Sequence, residues 1–564
     1  METSDGIVLK ANVFRPKALG RFPVIVAMSP YGKDAHFKDA YKRQWDELKH
    51  IYPGIDRDGS TGKYLRWETA DPERWVPHGY VLVHIDSRGS GQSPGYLDPR
   101  APREVMDLYE AIAWAAKQPW STGKVGMLGI SYYAINQWQV ASLQPPALKA
   151  IIPWEGSSNP YRDQRRHGGI LSNRFPVNWW PNQVLPNQHG NAQTHYRDSE
   201  TGKAPTGPAL SQELLAGNRI SPSDSLRSHP LEDEWFLQQS PKLERIRVPL
   251  LSAGNWGGLG LHMRGNIEGF LRAASKEKWL EMHGGTHFES FYLPEGVSMQ
   301  MRFFDYYLKG QKNGWNKEPP VQLTIRKPGQ FFKRMEREWP LARTRWTKFF
   351  LGADEKTLGR KNGSRGKLTY KGLGNGLVFS TKPFEEEVEF TGPIALRLWV
   401  SSSTRDMDIF ATLRAFDPAG KEVVFSGASE AAVPITQGWL RVSHRKINAS
   451  LSKPYRPYHS HDEVQPMTPG TVYPVDVEIW PTSIVLPKDY RLELLIEGKD
   501  FERAGATGRT KGSGPFLHDD PQDRDPAIYD GDNTLFMGGE HKSYLLMPLI
   551  PVATTKAAAK KKKT

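Results

Sequence analysis

The sequence predicts a protein of the α/β class, with a mostly parallel sheet flanked by helices, followed by an all-β domain of sandwich or jelly-roll type. Three observations lead to this prediction. Apolar runs alternate with helical patterns over residues 7–152, the same order returns over 248–308, and beyond Pro319 only strand patterns recur. Alternating strands and helices are typical of parallel sheets, whereas many short strands separated by turns are typical of β-sandwiches.

The strands and helices of the first half follow from their apolar spacing. Residues 7–14 alternate as an edge strand does, and four continuous apolar runs predict buried strands at 23–28, 80–85, 125–128 and 148–152. Apolar residues at helical spacing predict a helix over 104–117, and a second helical pattern at 135–143 follows the strand at 125–128. These elements define the first part of an α/β core, residues 1–155.

The α/β pattern is interrupted between residues 156 and 244, where Asn, Gln, Arg, His and Trp crowd the chain. It then returns with strands at 248–252 and 278–282 and helices at 262–274 and 299–308. We therefore expect residues 245–318 to complete the core, and residues 156–244 to form an inserted helical cap.

Beyond Pro319-Pro320, strand patterns are separated by Gly, Pro and Asp turns. Strands are predicted at 321–326, 394–400, 409–414, 475–480 and 490–496. Residues 319–552 are therefore predicted to form the all-β domain. The Ala/Lys-rich stretch at 553–564 is predicted to be a disordered basic tail.

Composition excludes several classes of protein. A chain of 564 residues with no Cys has no disulfides, no Cys-based zinc site and no thiol nucleophile. Of its net charge of +13, Lys556 and Lys560–Lys563 supply five in one tail, and the other basic residues lie beside acids, so no nucleic-acid partner is expected. No window approaches the roughly 18 apolar residues of a membrane span, and residues 1–10 lack the order of a signal peptide. We expect no membrane partner and a cytoplasmic location, with a trimmed precursor left open.

The strongest chemical signal is the run from Val125 to Ala134, VGMLGISYYA, which leads from a strand into a helix. A sharp strand-to-helix turn exposes a serine hydroxyl above a sheet and requires small neighbours, which Gly129 and Ala134 supply. Tyr133 occupies the place of the usual second glycine. Ser131 is therefore predicted to be a nucleophile, against the alternative that it only caps the following helix.

A serine nucleophile needs a base, which in such a fold follows the last strand, and His287 lies in that position. His283 is four residues earlier, but Gly284 and Gly285 oppose a metal-binding helix, so no metal is predicted. Serine-hydrolase chemistry requires no organic cofactor, and none is predicted. The oxyanion donors are expected to be the Tyr132 amide and Tyr31, from the loop after the strand at 23–28.

These residues resemble the group of α/β hydrolases that contains cocaine esterase, α-amino-acid ester hydrolase and X-prolyl dipeptidyl peptidase, the CocE/NonD family. The resemblance lies in residues 30–33 (PYGK), 86–95 (DSRGSGQSPG) and 129–132 (GISY), and in the β domain that follows. It implies an α/β-hydrolase fold with a helical cap and a C-terminal jelly roll. It also implies a Ser-His-acid hydrolase of esters or, less often, amides, with the Tyr31 hydroxyl stabilising the oxyanion.

The sequence departs from this family at the acid. The family has an Asp in a Gly-Trp-Tyr-Asp-like run, and Gly257 stands in its place in residues 254–258 (GNWGG). Because a carboxylate would orient and stabilise His287, we expect Glu155, after the strand at 148–152, to replace it. Glu268, Glu289 and Asp163 are the alternatives, together with a site that has no acid.

The predicted function is therefore the hydrolysis of a small-molecule carboxylic ester through an acyl-enzyme. Trp179, Trp180 and Trp256 are expected to contact the substrate in an aromatic-lined pocket. An amidase or X-prolyl peptidase activity would need a carboxylate for the substrate's free amine, and the sequence does not locate one. A catalytically impaired binding scaffold and a homo-oligomer stay open.

Overall fold

The computed structural model describes residues 1–198 and 200–551, and these fall into two compact units. The first unit comprises Met1–Gln322 and two later segments, Ser426–Ala431 and Ser513–Asp523. The second comprises Leu323–Phe425, Ala432–Gly512 and the described residues from Arg524. The basic tail predicted at 553–564 lies outside the described residues.

The strands of the first unit form one sheet and a short ribbon. The sheet strands are β1 (Ala11–Phe14), β2 (Phe22–Ser29), β3 (Val81–Asp86), β4 (Ser121–Ile130), β5 (Leu148–Trp154), β8 (Leu250–Asn255) and β9 (Lys278–His283), and the ribbon pairs β6 (Arg166–His167) with β7 (Ile170–Leu171). The order across the sheet is β1-β3-β2-β4-β5-β8-β9, and every neighbouring pair is parallel except β1 with β3. The carboxyl ends of the parallel strands therefore share one edge, which is where ligands bind in open α/β sheets.

Two apolar clusters cover the two faces of this sheet, and consecutive residues of one strand alternate between them. Ile25 and Ala27 of β2 belong to one cluster, and Val24 and Val26 belong to the other. The strands are hence buried on both sides, which explains why their sequences are continuous apolar runs.

The helices of the first unit lie between these strands and in the insertion. They are α1 (Phe37–Ala40), α2 (Lys42–Ile51), α3 (Pro72–Trp75), α4 (Pro102–Lys117), α5 (Tyr132–Ser142), α6 (Arg174–Trp179), α7 (Gln212–Gly217), α8 (Pro222–Ser228), α9 (Glu234–Gln239), α10 (Met263–Arg272), α11 (Glu289–Tyr292) and α12 (Pro294–Tyr307). Every residue of α5 is buried, so the helix that follows Ser131 is surrounded by other parts of the protein.

Several elements differ from their predicted extents, among them β1 and α12. β1 begins at Ala11 rather than at residue 7, because only its last four residues pair with β3. α12 begins at Pro294, five residues before the predicted start, since a proline in the first helical turn has its φ preset for the helix and lacks an amide that needs a partner.

The segment between β5 and β8 contains α6 to α9, the ribbon and two π-helical turns, Tyr161–Arg165 and Trp180–Val184. Several of its charged side chains are buried in ion pairs. Arg162 lies 2.5 Å from Glu232, and Arg264 lies 2.9 Å from Asp163. These buried charges explain why the segment shows no clear hydrophobic period, and its role as a cap stays a prediction.

The second unit is rich in antiparallel strands. They are β10 (Val321–Lys327), which begins at the unit boundary, β11 (Gln330–Glu336), β12 (Arg345–Gly352), β13 (Thr357–Gly359), β14 (Gly366–Lys371), β15 (Leu377–Ser380), β16 (Val388–Ser402), β17 (Asp408–Phe416), β18 (Glu422–Val423), β19 (Thr436–Arg441), β20 (Tyr473–Leu486), β21 (Arg491–Glu497), β22 (Asp532–Met537) and β23 (Tyr544–Ile550), with one helix, α13 (Pro526–Tyr529). β16 pairs with β20, and β17 pairs with both β19 and β21. The prediction of a C-terminal β-rich domain is confirmed, whereas the finer jelly-roll description stays a prediction.

Among the described residues, no helix has both the length and the apolar character needed to cross a membrane.

Candidate active site

Ser131 lies at the sharp turn between β4 and α5. Its backbone angles, φ 55° and ψ −108°, are outside the regions that non-glycine residues normally occupy. The preceding Gly129 has φ +156°, and a Cβ there would lie 2.5 Å from the Cβ of Tyr133. Tyr133 fits at the second-glycine position because its hydroxyl accepts a 2.6 Å hydrogen bond from Ser29. The strand, the turn and the helix thus have the geometry of a nucleophile elbow.

The Ser131 hydroxyl contacts a histidine that the sequence analysis did not select. Ser131 Oγ lies 3.1 Å from His262 Nε2, and His262 directly precedes α10. Burial, followed by the charge of His287, lowers the pKa of His262 well below its usual value. His262 is therefore neutral at pH 7, so Nε2 can accept the proton of the serine hydroxyl.

His287 lies beside His262 but contacts two carboxylates. Its Nδ1 is 2.8 Å from Glu155 Oε2, and its Nε2 is 2.9 Å from Glu68 Oε1. Burial opposes the charged form, but Glu155 and then Glu68 outweigh it and raise the pKa of His287 to about 10. The rings of His262 and His287 stack with centroids 5.0 Å apart and planes 5° apart. An uncharged imidazole thus lies against a charged one.

Glu155 is completely buried after the end of β5. It accepts hydrogen bonds from His287, from His283 Nε2 at 3.0 Å and from Asn255 at 3.2 Å. Burial alone raises the pKa of Glu155, but the charge of His287 and the hydrogen bonds from both histidines lower it to about 2. Glu155 is therefore an anion that fixes the orientation of His287.

The structure also gives a reason for Gly257. A Cβ at this position would lie 3.2 Å from the amide nitrogen of Ala428 and closer still to Gly427. No side chain fits there, so a carboxylate has to reach the histidines from another strand.

The alternative carboxylates have other contacts. Glu289 accepts hydrogen bonds from the amide and the hydroxyl of Thr286, both at 2.9 Å, and Asp163 pairs with Arg264. Glu268 lies in α10. Of the four carboxylates considered from the sequence, Glu155 is thus the one that the structure brings to His287 Nδ1.

Glu68 is a second site carboxylate, and it lies in the loop between α2 and α3. It has φ 62° and is buried, and its backbone oxygen accepts a hydrogen bond from Ile130 beside the elbow. Burial raises the pKa of Glu68 to about 7, although His287 opposes this shift. The positive φ and the burial indicate a position that its surroundings hold under strain.

Two groups are available for a developing oxyanion. The amide of Tyr132 is the first of α5, where helix amides lack intrahelical partners. The Tyr31 hydroxyl accepts a 3.0 Å hydrogen bond from Trp179 Nε1, and among the described residues its own proton has no acceptor. Burial raises the pKa of Tyr31, so the phenol stays a donor.

A cavity opens beside Ser131. Tyr31, Tyr132, Trp179 and His262 line it together with Arg100, Ile135, Gln164, Arg165, Phe175 and Leu261. Trp180 lines a neighbouring cavity, which shares Arg100, Arg165 and Trp179 with the first. Trp256, expected to contact the substrate, is buried and lines neither cavity.

The same residues include a donor set that could hold a metal ion. Among the described residues, one ligand atom from each of Glu155, His262 and His287 lies within 4.8 Å of the others. Both oxygens of Glu155 are hydrogen-bonded to imidazole nitrogens, and His262 Nε2 contacts Ser131. A metal ion would therefore have to displace these hydrogen bonds.

Sequence motifs did not indicate His262, Glu68 or the two arginines of the cavity as site residues. His262 had one signal, since it follows the glycine-bearing run at 254–258 in which the family acid is missing. Glu68, Arg100 and Arg165 lie in loops and an irregular segment without a recognisable motif, so only their folded positions reveal them.

A strained serine at a strand-to-helix turn of a parallel sheet, hydrogen-bonded to a neutral imidazole, is typical of the serine hydrolases. The comparisons agree with this class. The family model described as X-Pro dipeptidyl-peptidase (S15 family) matches residues 5–289, and the model of the C-terminal non-catalytic domain of X-Pro dipeptidyl-peptidase matches residues 313–546. The chain therefore belongs to the X-Pro dipeptidyl-peptidase S15 family.

Relatives cover almost the whole chain. Cocaine esterase from Rhodococcus sp. (strain MB1 Bresler) is 24% identical and matches over 97% of each chain. A solved CocE/NonD family hydrolase from Staphylococcus aureus is 32% identical with a TM-score of 0.82, covering 98% of this chain and 92% of its own. An aminopeptidase from Thaumarchaeota archaeon is 15% identical with a TM-score of 0.67, covering 98% and 95%, and shows the fold alone. These relatives confirm the predicted CocE/NonD family and leave the choice between esters and peptides to be argued.

Proposed function

We propose that this chain hydrolyses carboxylic esters through an acyl-enzyme on Ser131. The observation that carries the proposal is the 3.1 Å contact between Ser131 Oγ and His262 Nε2 at a strained elbow. The similarity to cocaine esterase supports ester chemistry.

The first half of the reaction transfers the acyl group to the enzyme. Ser131 Oγ attacks the ester carbonyl carbon while its proton moves to His262 Nε2. The Tyr132 amide and the Tyr31 hydroxyl donate to the oxyanion of the tetrahedral intermediate. The C–O bond to the leaving group then breaks, and the His262 imidazolium returns the proton to the departing alkoxide, which leaves as an alcohol.

Water completes the reaction. His262 accepts a proton from a water molecule that attacks the acyl-enzyme, and the second tetrahedral intermediate releases the acid and restores Ser131. The charges around His262 act in both directions during this cycle. Burial and the charge of His287 oppose the imidazolium of His262, and the negative charge of Glu155 favours it.

The alternative to His262 as the base is His287, which the sequence predicts for this role. It is favoured by the position of His287 after β9 and by its Nδ1 contact with Glu155, which is how an acid orients a catalytic imidazole. Against it, His287 Nε2 contacts Glu68, and its raised pKa keeps the ring protonated at pH 7. Under our proposal, the His287–Glu155 pair positions His262 by stacking.

The alternative hypothesis is that the chain is an amidase or an X-prolyl peptidase. Such an enzyme must hold the free amine of its substrate, which a carboxylate would do. Among the described residues, no Asp or Glu lines the cavity beside Ser131, whereas two arginines do. This lining favours an ester without an amine near the scissile bond.

Labelling with a fluorophosphonate probe, followed by peptide mass analysis, tests the proposal. We expect the label on Ser131, none in Ser131→Ala, and labelling slowed by roughly 10²- to 10⁴-fold in His262→Gln. We also expect an aryl ester to be cleaved and the matched X-Pro anilide to be left intact. A folded wild-type protein that is not labelled would exclude the serine mechanism. Labelling that slows in His287→Gln but not in His262→Gln would reassign the base.

A further inference from the structure

Two arginines form part of the cavity wall beside Ser131. Arg100 precedes α4 and has φ 69°, and Arg165 ends the π-helical turn Tyr161–Arg165. Their exposed fractions are 7% and 6%. π-helical turns are rare and occur frequently at functional sites, so the backbone that presents Arg165 is itself unusual.

Both guanidinium groups keep donors without a partner. Among the described residues, no acceptor contacts the buried Arg100 Nε or Arg165 Nη1, and neither residue has a carboxylate within ion-pair distance. Arg100 Nη1 donates to the amide oxygen of Gln164, which also lines the cavity. The neighbours of Arg165 differ, since Arg162 pairs with Glu232 and Arg166 pairs with Asp523.

Glu104 and Asp98 lie near Arg100, but among the described residues neither makes an ion pair with its guanidinium. Glu104 accepts the Tyr132 hydroxyl at 2.6 Å and the backbone amide of Arg100, so its carboxylate already has donors. Asp98 lines only the neighbouring cavity. The wall beside Ser131 is therefore cationic.

Both cations lie near the ring of Trp179. The guanidinium carbons of Arg100 and Arg165 lie 5.8 Å and 6.0 Å from the centroid of its ring. Stacking on an aromatic face orients a guanidinium and lowers the cost of ordering it before a ligand arrives. The two donor groups are thus held in place.

Burying a guanidinium whose donors lack hydrogen-bond partners is costly, and strongly perturbed buried groups cluster at functional sites. The planar fork of a guanidinium matches a carboxylate, to which it can donate two parallel hydrogen bonds. The same cavity contains the nucleophile, so the anion would belong to the substrate that Ser131 attacks.

We propose that Arg100 and Arg165 select an ester whose acyl part carries a carboxylate a few bonds from the scissile carbonyl. The inference rests on the proposed ester hydrolysis and names its substrate class. The neighbouring cavity, lined by Trp180, Trp235 and Phe236, offers an apolar site for the remainder of the molecule. A substrate with an ammonium group in this position would be repelled.

The test compares three 4-methylumbelliferyl esters of matched length: the mono-ester of adipic acid, the neutral 6-oxoheptanoate and the cationic 6-aminohexanoate. A carboxylate hydrogen-bonded to a buried guanidinium is expected to favour the adipate over the neutral ester by about tenfold or more in kcat/KM. The cationic ester should be the poorest substrate.

Arg165→Gln and Arg247→Gln are the matched variants. In Arg165→Gln, kcat/KM for the adipate ester should fall toward the value for the neutral ester. The fall should come mainly from a higher KM for the adipate ester. Arg247 is exposed, and its variant should keep the wild-type ratio. Fluorophosphonate labelling of Ser131 verifies that each variant is folded with a reactive serine. If a variant fails to fold, the kcat/KM ratios of the wild-type protein on the three esters still test the carboxylate selectivity.

The outcomes separate this inference from the function on which it rests. Equal rates on adipate and the neutral ester, or a preference for the cationic ester, would overturn the carboxylate selectivity and leave the esterase intact. If Arg165→Gln keeps the full preference for the adipate ester, Arg165 does not bind the substrate carboxylate. Absence of both labelling and hydrolysis would refute the hydrolase itself.

Discussion

Ser131 and the two carboxylates that contact His287 have a backbone with positive φ, namely 55° at Ser131, 46° at Glu155 and 62° at Glu68. Each such residue costs roughly 1 to 3 kcal/mol and persists only where packing determines its conformation. All three residues are buried, and each offers a polar group to the histidine pair or to the substrate. The strain therefore falls on the nucleophile and on the two carboxylates that set the charge of His287.

The pH dependence of hydrolysis distinguishes the two histidines as bases. If His262 accepts the proton, kcat/KM should stay constant from pH 7 down to well below pH 6.5, because burial and His287 lower the pKa of His262. If His287 accepts it, activity should rise with pH toward about 10, the pKa that its carboxylates impose. The measurement is kcat/KM for an aryl ester from pH 5 to 10, corrected for spontaneous hydrolysis.

A flat profile down to pH 6 would thus support His262. An acid limb near pH 9 to 10 that moves downward in Glu68→Gln would transfer the role to His287, because removing one carboxylate lowers the pKa of that ring.

At the scale of elements, α10 connects the histidine pair to the core. His262 directly precedes the helix, and Gly265 in its first turn lies against the backbone of Ser157 and Ser158. A Cβ at Gly265 would overlap those backbone atoms. The close approach of α10 therefore sets the distance between His262 and Ser131.

Gly265→Ala should consequently affect both stability and activity. Forcing a methyl group into a packed contact costs about 1 to 3 kcal/mol, and the resulting shift of α10 would lengthen the Ser131–His262 contact and lower kcat/KM. The measurements are the denaturation midpoint and ester kinetics. Gly217→Ala, in α7 with no atom within 4 Å of the added Cβ, is the control and should change neither appreciably. Unaltered kinetics in Gly265→Ala would show that α10 does not set this distance.

At the scale of the whole molecule, the first unit concentrates buried ionisable groups near the carboxyl ends of β5, β8 and β9. Burial opposes the charge of His283, but Glu281 and Glu155 outweigh it, so the pKa of His283, like that of His287, is raised to about 10. In the unfolded chain both histidines titrate near 6.5. The stabilisation from their charges is complete below pH 6.5 and is lost as the pH rises toward 10.

We therefore expect the melting temperature to fall between pH 7 and pH 10. In His287→Gln this fall should be smaller by more than about 2 °C, since one of the two histidines with a raised pKa is removed. His50→Gln, at an exposed position of α2, should retain the wild-type slope. Differential scanning calorimetry at matched ionic strength provides the comparison. A melting temperature that rises over this interval would contradict the assigned charges.

Much of the fold was predictable because it depends on local patterns. The strands at β2, β3, β4, β5 and β9 and the helix α4 lie within a few residues of their predicted positions, since continuous apolar runs and helical spacing survive in any tertiary context. The insertion was recognisable only as a loss of pattern. Its buried ion pairs, such as Arg162 with Glu232, involve residues 70 positions apart that no local pattern connects.

By itself, the sequence determined the fold class, the position of Ser131 at an elbow and a carboxylate candidate after β5, because a turn between a strand and a helix is local and leaves a signature in neighbouring residues. The tertiary structure decided which imidazole contacts Ser131 and which charges line the cavity. His262 and Ser131 are separated by 131 positions, and Arg100 and Arg165 come from different segments. Such contacts depend on how sheet, helix and insertion pack, so the roles of these side chains follow from three-dimensional distances rather than from spacing along the chain.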